Sequence, residues 1–101
     1  MKNEGFVKKF LNEFAEVAGR FSEDDINKAI EILFEAWKKG SKIFIIGNGG
    51  SASTATHFAC DLAKTTAVKG KKRFKVISLT DNVPLLTALT NDEGFASIFI
   101  E

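Results

Sequence analysis

The sequence predicts an α/β fold, a helical hairpin followed by part of a doubly wound parallel sheet. Three observations point to it. The apolar period is helical up to residue 40 and changes at Lys42 to a short apolar run. A glycine-rich turn, Gly47-Asn48-Gly49-Gly50-Ser51, separates that run from a helix of small residues. The order strand, helix, strand is that of a βαβ unit, which forms in a parallel sheet.

The elements follow in order. Phe6, Phe10, Phe14 and Val17, with Val7 and Leu11 beside them, recur at helical spacing and make one apolar face. Gly19 closes this helix. Ser22 is placed to cap the next, with Asp25 three residues on, and Ile26, Ala29, Ile30, Leu33, Phe34 and Trp37 form its apolar face. Lys38, Lys39 and Gly40 suit its end: basic side chains oppose the helix dipole and glycine accepts a left-handed cap. These two helices are expected as a hairpin over residues 1–40, with the βαβ part over 41–101, all in one domain. Lys42 to Ile46 reads as a strand buried on both faces. A helix from about Ala52 to Lys64 follows, then a basic loop around Gly70 and a second strand from Phe74 to Leu79. Pro84 fits the first position of a further helix, Asn91-Asp92-Glu93-Gly94 is expected to break it, and Phe95 to Ile100 to begin another. Two strands do not make a stable parallel sheet by themselves, so the chain reads as the first half of a larger sheet.

Composition narrows the function classes. Over 101 residues, 14 basic and 13 acidic side chains leave a net charge of +1, which argues against a nucleic-acid or membrane-surface partner. Lys64, Lys69, Lys71, Lys72 and Arg73 form a basic run without interleaved aromatics, read as a solvated connection at the sheet edge. No apolar run approaches the length of a membrane helix, and the start Lys2-Asn3-Glu4 has no signal character, so the cytoplasm is the expected location. A single cysteine, Cys60, cannot form an internal disulfide and is expected to be a small buried apolar residue. Ten phenylalanines and one tryptophan are many for this length, which suggests an oligomer or a fold that continues further.

The glycine-rich turn is the first candidate site. Glycines let backbone approach a ligand, the first amides of the following helix are free donors, and the helix dipole favours an anion. Asn48 and Ser51 add an amide and a hydroxyl. The turn lacks both the spacing of a dinucleotide fingerprint and the lysine of a P-loop. His57 and Asp61 are the second candidate. Four residues apart, they share a helix face, and the pair reads either as a surface ion pair or as an acid–base or metal pair.

Gly47-Asn48-Gly49-Gly50-Ser51-Ala52, then His57-Phe58-Ala59 and Asp61-Leu62, resemble the SIS (sugar isomerase) family, most closely its phosphoheptose isomerases. Ser78-Leu79-Thr80-Asp81-Asn82 and Leu86-Thr87-Ala88 leading into Asn91-Asp92-Glu93-Gly94-Phe95 agree with that group. The resemblance implies a three-layer αβα sheet of which this chain holds the N-terminal half, the parent protein being a cytoplasmic homotetramer. It implies isomerisation of sedoheptulose 7-phosphate or a similar ketose phosphate. By the same resemblance Asn48, Gly49, Gly50 and Ser51, with Asn91 and Asp92, meet the phosphorylated sugar. His57 and Asp61 are then the catalytic pair and, in members that carry zinc, metal ligands. Asp61 stands where the family usually has glutamate, one methylene longer. The resemblance therefore also admits a protein that binds sugar phosphates, or regulates, without isomerising them.

Overall fold

The structure, a computed structural model, describes residues 3–100; residues 1, 2 and 101, at the ends of the two expected segments, lie outside it. The elements run α1 (Glu4–Gly19), α2 (Glu23–Lys39), β1 (Lys42–Ile45), α3 (Gly50–Cys60), β2 (Lys75–Ser78) and α4 (Val83–Glu93). A π-helical turn, Asp61–Thr65, extends α3, and a 3₁₀ turn, Phe95–Ser97, follows α4. The chain divides within α2 into two compact units, Met1–Ile32 and Leu33–Glu101.

In the first unit, α1 has the expected amphipathic sequence but buries none of its residues. Phe6, Phe10, Phe14 and Val17 are all exposed, with Phe6 at 68%. The turn to α2 is closed by the Ser22 hydroxyl, which accepts from the Asp25 amide at 3.2 Å, as an N-cap does.

In the second unit, α2 ends in the left-handed cap expected of Gly40, whose φ is 69°. The Ser41 amide donates back to the Ala36 carbonyl and the Gly40 amide to that of Trp37, which satisfies the last carbonyls of the helix. The basic connection is not merely solvated. Trp37 Nε1 donates to the Lys72 carbonyl at 2.8 Å, and Lys72 Nζ donates to the Lys38 carbonyl at 2.6 Å. This clasp ties the loop to the helix end.

β1 and β2 pair in parallel, with Ile43 beside Val76 and Phe44 beside Ile77. The expectation that β1 is buried on both faces is not met: its residues alternate, and Phe44 is 56% exposed. Helix α3 packs on the strands, whereas beside Phe44 an apolar groove of about 340 Å³ runs to Leu86, Leu89 and Phe99. Alternation is what a sheet covered on one face shows. Among the described residues the buried positions are few, and all but one are small: Ala55 and Ala59 of α3, Ser78 of β2, and Ile98.

Three boundaries differ from the expected ones. The helix after the glycine loop starts at Gly50 and changes pitch at Asp61, where the Thr66 amide reaches the Asp61 carbonyl five residues back. α4 runs through Asn91 and Asp92 and stops at Gly94, whose φ of 93° ends the helix. Beyond it the chain makes a 3₁₀ turn rather than a new α-helix, with the Ser97 hydroxyl donating to the Gly94 carbonyl.

Candidate functional site

The site is assembled at the C-terminal ends of the two strands, where ligands of open α/β sheets collect. β1 ends at Ile45, and the chain turns within five residues into α3. The turn is closed by the Ser51 amide donating to the Asn48 carbonyl at 2.9 Å. Gly49 takes φ 57° and ψ −121°, a conformation that side chains with a Cβ disfavour. Gly47 is required for a different reason: a Cβ there would collide with the backbone of Ser51 and Ala52. The turn is therefore pressed against the first turn of α3. The amides of Ser51, Ala52 and Ser53 are used by Asn48 and Gly49 carbonyls. Those of Gly49 and Gly50 meet no acceptor among the described residues, so they face outward at the positive end of the helix dipole.

Two turns along α3 and one turn further, at the start of the π turn, His57 and Asp61 meet. His57 Nε2 lies 3.3 Å from Asp61 Oδ2, and both side chains are exposed, at 77% and 53%. The other oxygen, Asp61 Oδ1, accepts from the Thr65 hydroxyl at 3.2 Å. The carboxylate is thus held at both ends, and it sits where α3 widens into its π turn; such widenings are frequent at functional sites. An exposed pair of this kind adds little stability, on the order of 0.5 kcal/mol, which leaves the two groups available to a ligand.

A third group of side chains escapes sequence reading. Thr56 Oγ1 donates to Asp81 Oδ1 at 2.6 Å, across 25 positions of sequence. Ser78 is 2% exposed, and its hydroxyl lies 3.0 Å from that of Thr80 and 3.5 Å from that of Thr56. This hydroxyl cluster joins α3 to the end of β2. α4 is capped by Asn82, whose side chain accepts from the Leu85 amide at 3.1 Å, while its neighbour Asp81 is engaged by Thr56. Nothing in residue spacing distinguishes the two roles, since both need a short acceptor after a strand.

An open depression of about 520 Å³ lies on this side of α3, lined by Ser53, Thr56, His57, Cys60 and Thr80. Cys60 is exposed there, contrary to the expected burial. The residues that α3 buries are Ala55 and Ala59, which places Cys60 on the opposite, solvent side of the helix. Asn91 and Asp92 lie in the last turn of α4, where Asn91 Nδ2 donates to Asp92 Oδ1 at 3.0 Å. No hydrogen bond or ion pair joins them to the glycine-rich turn among the described residues.

A catalytic zinc takes three protein ligands, and no group of three His, Cys, Asp or Glu side chains converges among the described residues. His57 and Asp61 alone do not fit a zinc site, and no step below depends on one.

The SIS domain family matches residues 6–101. The phosphoheptose isomerase of Campylobacter jejuni serotype O:6 is 41% identical over 92% of this chain and 50% of its own length. The lincomycin biosynthesis protein LmbN of Streptomyces lincolnensis is 40% identical over 94% of this chain and 34% of its own. Among solved structures, the phosphoheptose isomerase of Neisseria gonorrhoeae superposes with a TM-score of 0.78 at 27% identity, over 98% of this chain and 51% of the other. The chain thus spans about half the length, or less, of the relatives it matches.

Proposed function

The chain belongs to the SIS domain family, and we propose that its glycine-rich turn and the His57–Asp61 pair form part of a phosphosugar site in an aldose–ketose isomerase. The substrate we assign is sedoheptulose 7-phosphate or a ketose phosphate like it. The observation that carries this reading is the convergence of His57 and Asp61 on the helix opened by the free Gly49 and Gly50 amides.

In this reading Asn48, Gly49, Gly50 and Ser51 hold the oxygens of the phosphorylated sugar, with Asn91 and Asp92 as further contacts. Asp61 removes a proton from the carbon next to the ketose carbonyl, and the electron pair becomes a carbon–carbon double bond. His57 gives a proton to the carbonyl oxygen, forming an enediol. Returning the proton from Asp61 to the former carbonyl carbon, as the neighbouring hydroxyl gives its own to His57, yields the aldose and restores both groups. The Thr65 hydroxyl and the π turn aim the carboxylate. A homotetramer in the cytoplasm is the setting we assign to the parent protein.

A second reading is favoured by one observation, the short side chain of Asp61, already engaged by His57 and Thr65. A displacement of about 1 Å at a base can cost on the order of 100-fold in rate. Under that reading the site binds phosphosugars without turning them over.

Titrating the chain with sedoheptulose 7-phosphate while following backbone amide resonances tests the binding step. Shifts of Gly49, Gly50 and Ser51 are expected, absent with unphosphorylated sedoheptulose. A folded chain that responds to no phosphosugar overturns the proposal. Turnover by the protein that carries this chain separates the two readings. Conversion to the aldose, lowered about 100-fold or more by Asp61→Asn, supports the isomerase. Binding without conversion supports the second.

A further inference from the structure

At the opposite end of the sheet from the glycine-rich turn, a half-open pocket of about 180 Å³ lies beside the clasp between α2 and the basic loop. Its wall is aromatic. Phe34 and Trp37 stack at 5.5 Å between centroids with 19° between their planes, and Phe74 meets Trp37 at 6.4 Å. Its rim is basic, formed by Lys71, Lys72 and Arg73, and no carboxylate lines it. Lys72 is already committed, its ammonium lying 5.6 Å over the Trp37 ring and donating to the Lys38 carbonyl. The side chains of Lys71 and Arg73 have no hydrogen-bond or ion-pair partner among the described residues and are free to meet a ligand.

We propose that this pocket binds a one-ring aromatic oxyanion, with the ring against Phe34, Trp37 and Phe74 and the anionic group at Lys71 and Arg73. Size sets the ring count: an apolar protein cavity of about 150 Å³ accommodates benzene, and this pocket is slightly larger. Charge sets the sign. Three basic side chains line the pocket and no carboxylate does, which favours an anion, and the guanidinium fork can grip two of its oxygens. Shape sets the flat body, since stacked rings offer faces and edges that favour another ring over an aliphatic chain. The clasp holds the walls in place before a ligand arrives, so little ordering cost falls on binding. Because the pocket and the glycine-rich turn lie at opposite strand ends, the proposal stands independently of the phosphosugar reading.

The test uses the single tryptophan of the chain, whose indole N–H donates to the Lys72 carbonyl and gives one isolated resonance. The chain is titrated with benzoate, phenyl phosphate, benzyl alcohol, benzylamine and acetate. Saturable shifts of that resonance are expected with benzoate and phenyl phosphate, whichever anionic group is the better. Benzyl alcohol and benzylamine are expected to bind about tenfold more weakly or worse, as loss of a charged hydrogen bond implies. Acetate, lacking the ring, is expected to leave the resonance in place. The double variant Lys71→Ala, Arg73→Ala should bind benzoate about tenfold more weakly with its thermal midpoint unchanged. Equal binding of benzoate and benzyl alcohol, an equal response to acetate, or a folded double variant with undiminished benzoate affinity overturns the proposal. Should the double variant fail to fold, the preference of the unaltered chain for benzoate over benzylamine still decides.

Discussion

Helices α1 and α3 invert what their sequences advertise. α1 carries Phe6, Phe10, Phe14 and Val17 on one face and buries none of them, whereas α3 is built of alanine, serine and threonine and supplies two of the few buried residues. Side-chain size measures how much surface a helix can bury, not whether a neighbour is there to bury it against. The sheet approaches α3 closely because Ala55 and Ala59 are small, and that closeness brings Thr56 within reach of Asp81 and sets His57 on the outer face. In α3, small residues place the candidate site. In α1, large ones stay exposed, and the composition's two explanations, an oligomer or a fold that continues further, both apply to that face.

The contrast can be broken at several points, the largest effect first. Gly47→Ala drives a Cβ into the Ser51 backbone, and a loss of about 3 kcal/mol in chemical denaturation is expected, the upper range for overpacking. A neutral result would mean that the turn is not pressed onto α3. Ala55→Leu, at a position 3% exposed, is expected to cost about 1–3 kcal/mol by the same measurement. Phe10→Ala in α1 removes far more apolar surface yet is expected to change the stability of the isolated chain by no more than about 0.5 kcal/mol. A much larger loss, dependent on protein concentration, would show the α1 face buried between copies in solution.

The smallest effect belongs to Glu35, on the exposed last turns of α2. Its hydrogen bond from Lys38 holds the carboxyl below its ordinary 4.5. A lowered carboxylate pKa contributes stability that is present above the ordinary value and is lost as pH falls through the lowered one. Thermal midpoints of Glu35→Gln and the unaltered chain should therefore coincide when both are acidified below that window. At neutral pH the variant should be no more than marginally less stable, as expected of an ion pair at the surface.

Much of the molecule was legible in advance, and the reasons are local. The Ser22 cap, the Gly40 ending and the change of period at Lys42 each depend on a few adjacent residues whose chemistry allows little choice. The meeting of His57 with Asp61 follows from helix geometry alone. What could not be read depended on distant neighbours. The exposure of Cys60 and Phe44 depended on which face of α3 and of β1 is covered, and the end of α4 at Gly94 rather than at Asn91 on a helix running past residues that favour turns.

The sequence by itself determined the βαβ order, the glycine-rich turn at a strand end and the family to which these motifs belong, because period, capping and turn chemistry act within a few residues. Only the tertiary structure decided the Thr56–Asp81 bond, the Trp37–Lys72 clasp and the burial of Ser78. Each of these joins or covers groups that packing brings together from separate elements, and no local preference specifies which ones will meet.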